Sequence, residues 1–255
     1  MADLSFIEDN YQGSVEAIDL WYEAQDKQRG YLGLSACGDK CKRKLWYVHN
    51  GFFGKPFEGR LLRLFQLGNL LEDQVVADCR ATGFFIRQQQ REVVFTQDGV
   101  TLKGHIDGII EGIEESPVTP HLFECKSCNR KRFDDLLKKI KTLDKWDVYR
   151  AWSETYYWQV QVYMLGLKLK RAAAFIYCKD TSRLKMVRIK LDRPGTMKKL
   201  QTVFEAITSP IEPDRACPRR DYFEAKWCDY YDRCFGIRKA SSLLAGSTPP
   251  WLHKK

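Results

Sequence analysis

Three carboxylates and one lysine stand out by residue type and spacing. Glu124 and Lys126 lie two apart in His121-Leu-Phe-Glu-Cys-Lys-Ser127, Asp107 lies in Gly104-His-Ile-Asp-Gly108, and Glu72 lies upstream in Leu67-Gly-Asn-Leu-Leu-Glu72. In a β-strand residues two apart share a face, so Leu122, Glu124 and Lys126 point one way and Phe123 and Cys125 the other. Charges in so apolar a run are costly unless they pair, reach water or hold a metal. One reading is an ordinary Glu–Lys pair on an exposed edge strand, which is common and contributes little. The other is chemical. Magnesium takes oxygen ligands and keeps several waters, so two or three carboxylates suffice to hold it. Such an ion polarises a scissile phosphate and acidifies a water, while a neighbouring lysine orients or helps deprotonate that water. Without the ion the carboxylates would repel phosphates. Three acids and a lysine therefore suit a metal-dependent phosphodiester hydrolase. Downstream, Gln159 and Tyr163 lie four apart, on one helical face.

The elements that must position these groups can be read from period and punctuation. Helices are expected at 14–28 and 38–50, and a longer one from Phe57 to Thr82, where Leu61, Leu64, Phe65, Leu71, Val75 and Val76 keep helical spacing and Gly83 marks a stop. The period then becomes extended over 84–88 and 91–95. Gln97-Asp-Gly99 signals a tight hairpin, and 101–110 reads as the return strand carrying Asp107. A polar loop at 111–120 precedes the strand of Glu124 and Lys126. Helices follow at about 130–141 and 146–170, then a strand pair at 172–179 and 184–190 and a helix at about 195–208. Residues 211–236 are irregular and cysteine-bearing. The fold class is α/β with a mixed sheet, and no internal repeat or Walker-type phosphate loop is present, which argues against a helicase motor.

The chain has 255 residues, enough for one large domain or two small ones. The reading is a single domain over 1–240 and a tail over 241–255. Hydrophobic residues make up 44% and charged ones 29%, as in an ordinary folded protein. No apolar run approaches the ~20 residues needed to span a bilayer, and the acidic start MADLSFIEDNYQ lacks the apolar core of an export signal. The expected compartment is the cytoplasm (a host's, if the chain is viral). A net charge of +9 suits a polyanionic partner, and basic residues crowd 126–145, 168–171 and 215–220. Each cluster also reads as a solvated helix face; together they favour a nucleic acid as partner.

The ordered series Glu72, then Gly104-His-Ile-Asp107-Gly, then Glu124-Cys-Lys126, then Gln159-x-x-x-Tyr163 resembles the PD-(D/E)XK nuclease superfamily. It is similar in particular to the RecB-like exonuclease branch, which includes phage exonucleases and cluster-bearing CRISPR-associated nucleases. The resemblance covers roughly 35–235. It implies a restriction-endonuclease-like core in which Glu72, Asp107, Glu124 and the backbone carbonyl of Cys125 hold Mg²⁺ or Mn²⁺. Lys126 would be the catalytic lysine, and Gln159 and Tyr163 would position the lysine, the water or the DNA. Many members carry a metal-ligating histidine near the first glutamate; here Asn69 stands near that place and Glu72 must serve alone. His105 reads as a packed or hydrogen-bonding strand residue. What the resemblance implies is a DNA exonuclease of recombination or repair, with an annealing or single-strand-binding protein as partner. The alternatives are trimming of DNA for CRISPR adaptation, or DNA binding without catalysis.

Nine cysteines in a reducing compartment are small buried hydrophobes or metal ligands rather than disulfides. The segments 34–47 and 224–234 resemble those that hold a 4Fe–4S cluster in the cluster-bearing branch and join the chain ends in one module. Cys41, Cys228 and Cys234 match. The family spacing would put another cysteine at Ala225, and Cys217 is the nearest substitute, reachable only by a different loop path; Cys37 is a further candidate. A zinc site on the same thiolates, or mere burial, are the other readings. Cys79, Cys125, Cys128 and Cys178 read as core. Tyr222, Phe223, Trp227, Tyr230 and Tyr231 would shield a cluster or pack, and could otherwise stack on single-stranded bases.

Overall fold

The computed structural model describes residues 5–26 and 31–236, with side chains from Gly13 onward. The tail expected over 241–255 lies outside the described residues.

The first helix, α1 (Ser5–Gln25), begins well before the expected 14 and runs through Gly13. A glycine inside a helix costs only about 1 kcal/mol, too little to stop one. The helix expected over 38–50 is two elements, a 3-10 turn at Leu34–Gly38 and α2 (Lys42–His49). Cys41 separates them, its sulfur accepting from the Lys44 N–H as the cap of α2. The long helix α3 (Gly59–Ala81) is where the period put it, and Gly83, at φ 93°, turns the chain out of it.

A five-stranded sheet follows, ordered β1-β4-β5-β6-β7, from β1 (Phe85–Arg87), β4 (Gly108–Glu111), β5 (His121–Cys128), β6 (Arg171–Cys178) and β7 (Leu184–Lys190). Only β5 and β6 are parallel; the other neighbours run antiparallel. This is the mixed α/β sheet flanked by helices of a restriction-endonuclease-like core. The hairpin β2 (Glu92–Gln97) and β3 (Val100–His105) forms a second, two-stranded sheet. Its turn has positive φ at both Asp98 (50°) and Gly99 (78°), as Asp-Gly predicts.

The return strand expected over 101–110 is thus two strands in two sheets. The break falls at Ile106 and Asp107. Ile106 is fully buried, and its N–H and C=O bond Arg91 and Gln90 rather than a sheet neighbour. Asp107 therefore lies in a crossing between sheets, not in a strand.

After β5 come α4 (Arg130–Thr142), α5 (Val148–Trp152) and α6 (Glu154–Gly166). The single helix expected over 146–170 breaks at Ser153, which is extended (φ −155°, ψ 100°) and caps the Tyr156 N–H with its side chain. Helix α7 (Arg193–Ile207) starts on an Asp192 cap, and the short α8 (Phe223–Lys226) and α9 (Tyr231–Cys234) punctuate the cysteine-bearing end.

The alternation of β5 divides the core in two. Phe123 and Cys125 face Val75, Val76 and Cys79 of α3. Leu122 and Cys128 face the larger core built with α4, α5, α6 and α7. Helix α6 is buried on nearly every side, which explains its lack of amphipathic pattern. Its one fully buried polar residue away from the acids, Gln161, is satisfied by the Lys190 carbonyl, the Asp192 N–H and the Thr196 hydroxyl. Among the described residues no helix is long and apolar enough to cross a membrane.

Candidate active site

The antiparallel register of β4 and β5 pairs Gly108 with Phe123, so Asp107, one step back, comes opposite Glu124. The crossing at Asp107 is tied to β5 directly: the Cys125 N–H donates to Asp107 Oδ2 at 2.8 Å. Glu124 lies fully buried, and Lys126 Nζ sits 2.5 Å from its Oε1 with the lysine side chain 20% exposed. Gln159 Nε2, from α6, donates to the same Oε1 at 3.1 Å. The two residues expected two apart on an edge strand therefore form a pair in the middle of the main sheet, with an acid across the register and an amide above.

Tyr163, one turn after Gln159, is 2% exposed and brings its hydroxyl against the backbone at Gly104. A Cβ there would lie 2.6 Å from that oxygen, so glycine is what lets the tyrosine approach. Gln159 touches Glu124 rather than Lys126. His105 is strand-borne but exposed, its Nε2 3.9 Å from Glu92 Oε1, and takes no part in the site.

The three acids feel one another. Burial, opposed by Lys126 and reinforced by Asp107 and Glu72, pushes Glu124 up to about 7. Burial and then the Asp107 charge, against Lys126, likewise lift Glu72 to about 7. Asp107 is raised by burial, while Lys126 and the Cys125 N–H pull the other way. Burial opposes the charge on Lys126, but Glu124 and Asp107 together outweigh it and hold the ammonium protonated. Removing one partner of so buried a pair strands the other and costs roughly 3–5 kcal/mol.

No three His, Cys, Asp or Glu side chains among the described residues are gathered tightly enough to hold a metal as they stand. By chemistry, however, the acids fit a hard divalent cation. Carboxylate oxygens are its preferred ligands, and Glu124 Oε2 is buried with no hydrogen-bond partner, an acceptor left open on the acid that faces Asp107.

The cysteine reading meets a second convergence. Cys41, Cys217, Cys228 and Cys234 all line one cavity of about 450 Å³, with Asp39, Lys44, Tyr222 and Trp227 in its wall. Ala225, where the family spacing would place a cysteine, lines the same cavity, and the loop before α8 delivers Cys217 there instead. All four thiols are free and partly exposed, whereas Cys37, Cys79, Cys125, Cys128 and Cys178 are buried. Burial raises Cys37 to about 12, a poor thiolate and a poor ligand. Of the nearby aromatics, Tyr230 packs on Tyr47 at 5.3 Å between ring centres, while Phe223 and Trp227 are 72% and 75% exposed.

No protein-family model and no curated protein matches the chain. Among solved structures it is similar to the protein SSO0001, at 14% identity and a TM-score of 0.46, over 85% of this chain and 94% of that one. It is also similar to an alkaline exonuclease, LHK-Exo, from Laribacter hongkongensis, at 20% identity and a TM-score of 0.40, over 56% of this chain and 66% of that one. Likenesses this distant do not bear on what this chain does.

The raised acids give a stability dependence with a definite sign. Glu72 and Glu124 hold their protons more tightly folded than unfolded, so between 4.5 and about 7 the folded state binds more protons. The metal-free protein is expected to lose melting temperature as pH rises through that window. Differential scanning calorimetry in chelator from about pH 5 to about pH 8 checks this; Glu124→Gln should flatten the slope, and a melting temperature that climbs over the window would contradict the burial of these acids.

Proposed function

We propose that this chain is a divalent-metal-dependent deoxyribonuclease that hydrolyses phosphodiester bonds at DNA ends, as a RecB-like exonuclease of recombination, repair or phage-type DNA processing. The observation that carries the reading is the meeting of Asp107, Glu124, Lys126 and Gln159, from three separate parts of the chain, around one buried carboxylate. A bare ion pair needs neither the acid across the register nor the open Oε2. The fold class of the core agrees with it.

In this reading Glu72, Asp107, Glu124 and the carbonyl of Cys125 hold Mg²⁺ or Mn²⁺. A divalent ion there would supply a Lewis acid that polarises the scissile phosphate and offsets its charge. The chain's own groups do the rest. Lys126, kept cationic by Glu124 and Asp107, faces the part-open side of the site, where it can neutralise a phosphoryl oxygen and orient a water. Gln159 fixes the Glu124 carboxylate by holding Oε1, which leaves Oε2 free. Asp107 is fixed through Oδ2 by the Cys125 N–H, which also sets the Cys125 carbonyl on the strand. Tyr163 packs against Gly104 of β3, three residues before Asp107. The basic segments bind the DNA backbone without regard to sequence, so binding weakens steeply with salt.

The cysteine cavity supports a 4Fe–4S cluster held by Cys41, Cys217, Cys228 and Cys234 over a single zinc ion. A single zinc ion would draw its sulfurs to about 2.3 Å from one point. A cluster instead anchors each thiolate to a different iron around a larger body, which suits four thiols spread over one cavity wall. The four-cysteine cavity also favours, as a second reading of the same chemistry, the trimming of DNA for CRISPR adaptation.

End-labelled linear DNA and circular DNA, incubated with Mg²⁺ or Mn²⁺, test the activity. Wild type is expected to digest the linear substrate, with chelator abolishing cleavage. Asp107→Asn and Lys126→Met, which keep side-chain shape, should each lower the rate about 100-fold or more; undiminished cleavage by both would refute the site. Protein purified without oxygen should be brown and carry iron that Cys228→Ala reduces, whereas colourless, iron-free, folded protein would rule the cluster out.

A further inference from the structure

Two buried side-chain polar atoms among the described residues have no hydrogen-bond partner, Glu124 Oε2 and the hydroxyl of Tyr149, and Glu124 is the foremost charge acting on that hydroxyl. Tyr149, on α5, is completely buried. Its ring packs on Trp152 at 5.8 Å, Trp152 packs on Tyr156 at 6.0 Å, and Lys126 Nζ lies 5.2 Å from the Tyr156 ring. The Lys126 ammonium thus lies by Tyr156, at the end of an aromatic row from α5 and the start of α6. Burial and then the charge of Glu124 keep the Tyr149 hydroxyl protonated, as a neutral donor.

An orphaned hydroxyl in a packed core costs free energy and calls for a cause. Phenylalanine would fill the same space without it. An unpaired donor and an unpaired carboxylate oxygen that feel one another, with an ammonium at hand, supply the two to four polar partners that a buried water needs.

We propose that Tyr149 is a positioning residue of the site, its hydroxyl binding one water molecule jointly with Glu124 Oε2 beside Lys126. The water links the Tyr149 hydroxyl to the Glu124–Lys126 pair: the tyrosine donates, the carboxylate accepts, and the ammonium donates. Held this way through one lone pair of Oε2, Glu124 cannot swing, the second lone pair stays open to a cation, and Lys126 keeps its direction against the Tyr156 ring. The role in turnover rests on the hydrolytic reading of the site; the water site does not.

Two measurements on the full chain separate the two. A crystal structure showing ordered waters is expected to place one within hydrogen-bond distance of both Tyr149 Oη and Glu124 Oε2, and to lose it in Tyr149→Phe. Tyr149→Phe should keep the melting temperature and the KM for DNA while kcat falls roughly tenfold, a split that a packing role would not produce. Either oxygen bonded directly to a protein group, or a Tyr149→Phe protein with wild-type kcat, would overturn the inference and leave the nuclease reading standing. A bridging water in a protein that cuts no DNA would uphold the water site and overturn the hydrolytic reading, and with it the positioning role.

Discussion

A carboxylate without water around it sets the terms for this protein. Glu124 is fully buried in the middle of a five-stranded sheet, and an ionised carboxylate in such a place is tolerated only where cations and donors surround it. Lys126 and Gln159 both engage Oε1. They come from the same strand, two residues on, and from the most enclosed helix of the fold. Neither satisfies Oε2. The protein therefore keeps an oriented, partly neutralised acid with one face open, and that open face is what a site for a divalent ion needs.

The surrounding topology follows from delivering partners to that acid. The chain leaves the hairpin sheet at Ile106, crosses, and joins the main sheet at Gly108, which presents Asp107 opposite Glu124 with its carboxylate pinned by the Cys125 N–H. Gly104 is bare so that Tyr163 can pack against the strand that leads into the crossing. Away from the acids, the stacking of Tyr47 on Tyr230, the Tyr230 hydroxyl on the Phe52 carbonyl and the Lys55 N–H on the Asp229 carbonyl fasten the chain's last described segment to its early one. Those contacts bring four thiols to one cavity.

Much of this was legible in residue order, and the exceptions have physical causes. Strong periods and punctuation located α3, the Asp-Gly hairpin, β5 and the β6–β7 pair. Apart from the early start of α1, the misreadings concern breaks inside continuous patterns. Leu102 and Ile106 keep a two-residue alternation through Gly104, and Ile109 and Ile110 follow with only Asp107 and Gly108 between, so nothing in hydropathy marks Ile106 as leaving one sheet for another. Tyr157 to Met164 are buried on all sides, which hides the Ser153 cap that starts a new helix. Glu124, Lys126, Asp107 and Gln159 were identifiable by type and order, yet an edge strand and a central one look alike over eight residues. Cys217 could not be chosen over other cysteines, since a loop's path is not written in local propensity. Tyr149 carried no signal at all: one tyrosine among many becomes notable only when its hydroxyl is found buried and unpartnered beside a carboxylate.

The central claim is that the open carboxylate of Glu124, with Asp107 and Glu72, binds a divalent ion, and calorimetric titration of Mn²⁺ into the metal-free protein measures it without DNA. The account predicts saturable binding with release of protons, because acids raised to about 7 must ionise to take the ion, and strongly weakened binding in Glu124→Gln. Wild type and Glu124→Gln that bind Mn²⁺ equally, or a wild type that binds none, would contradict it.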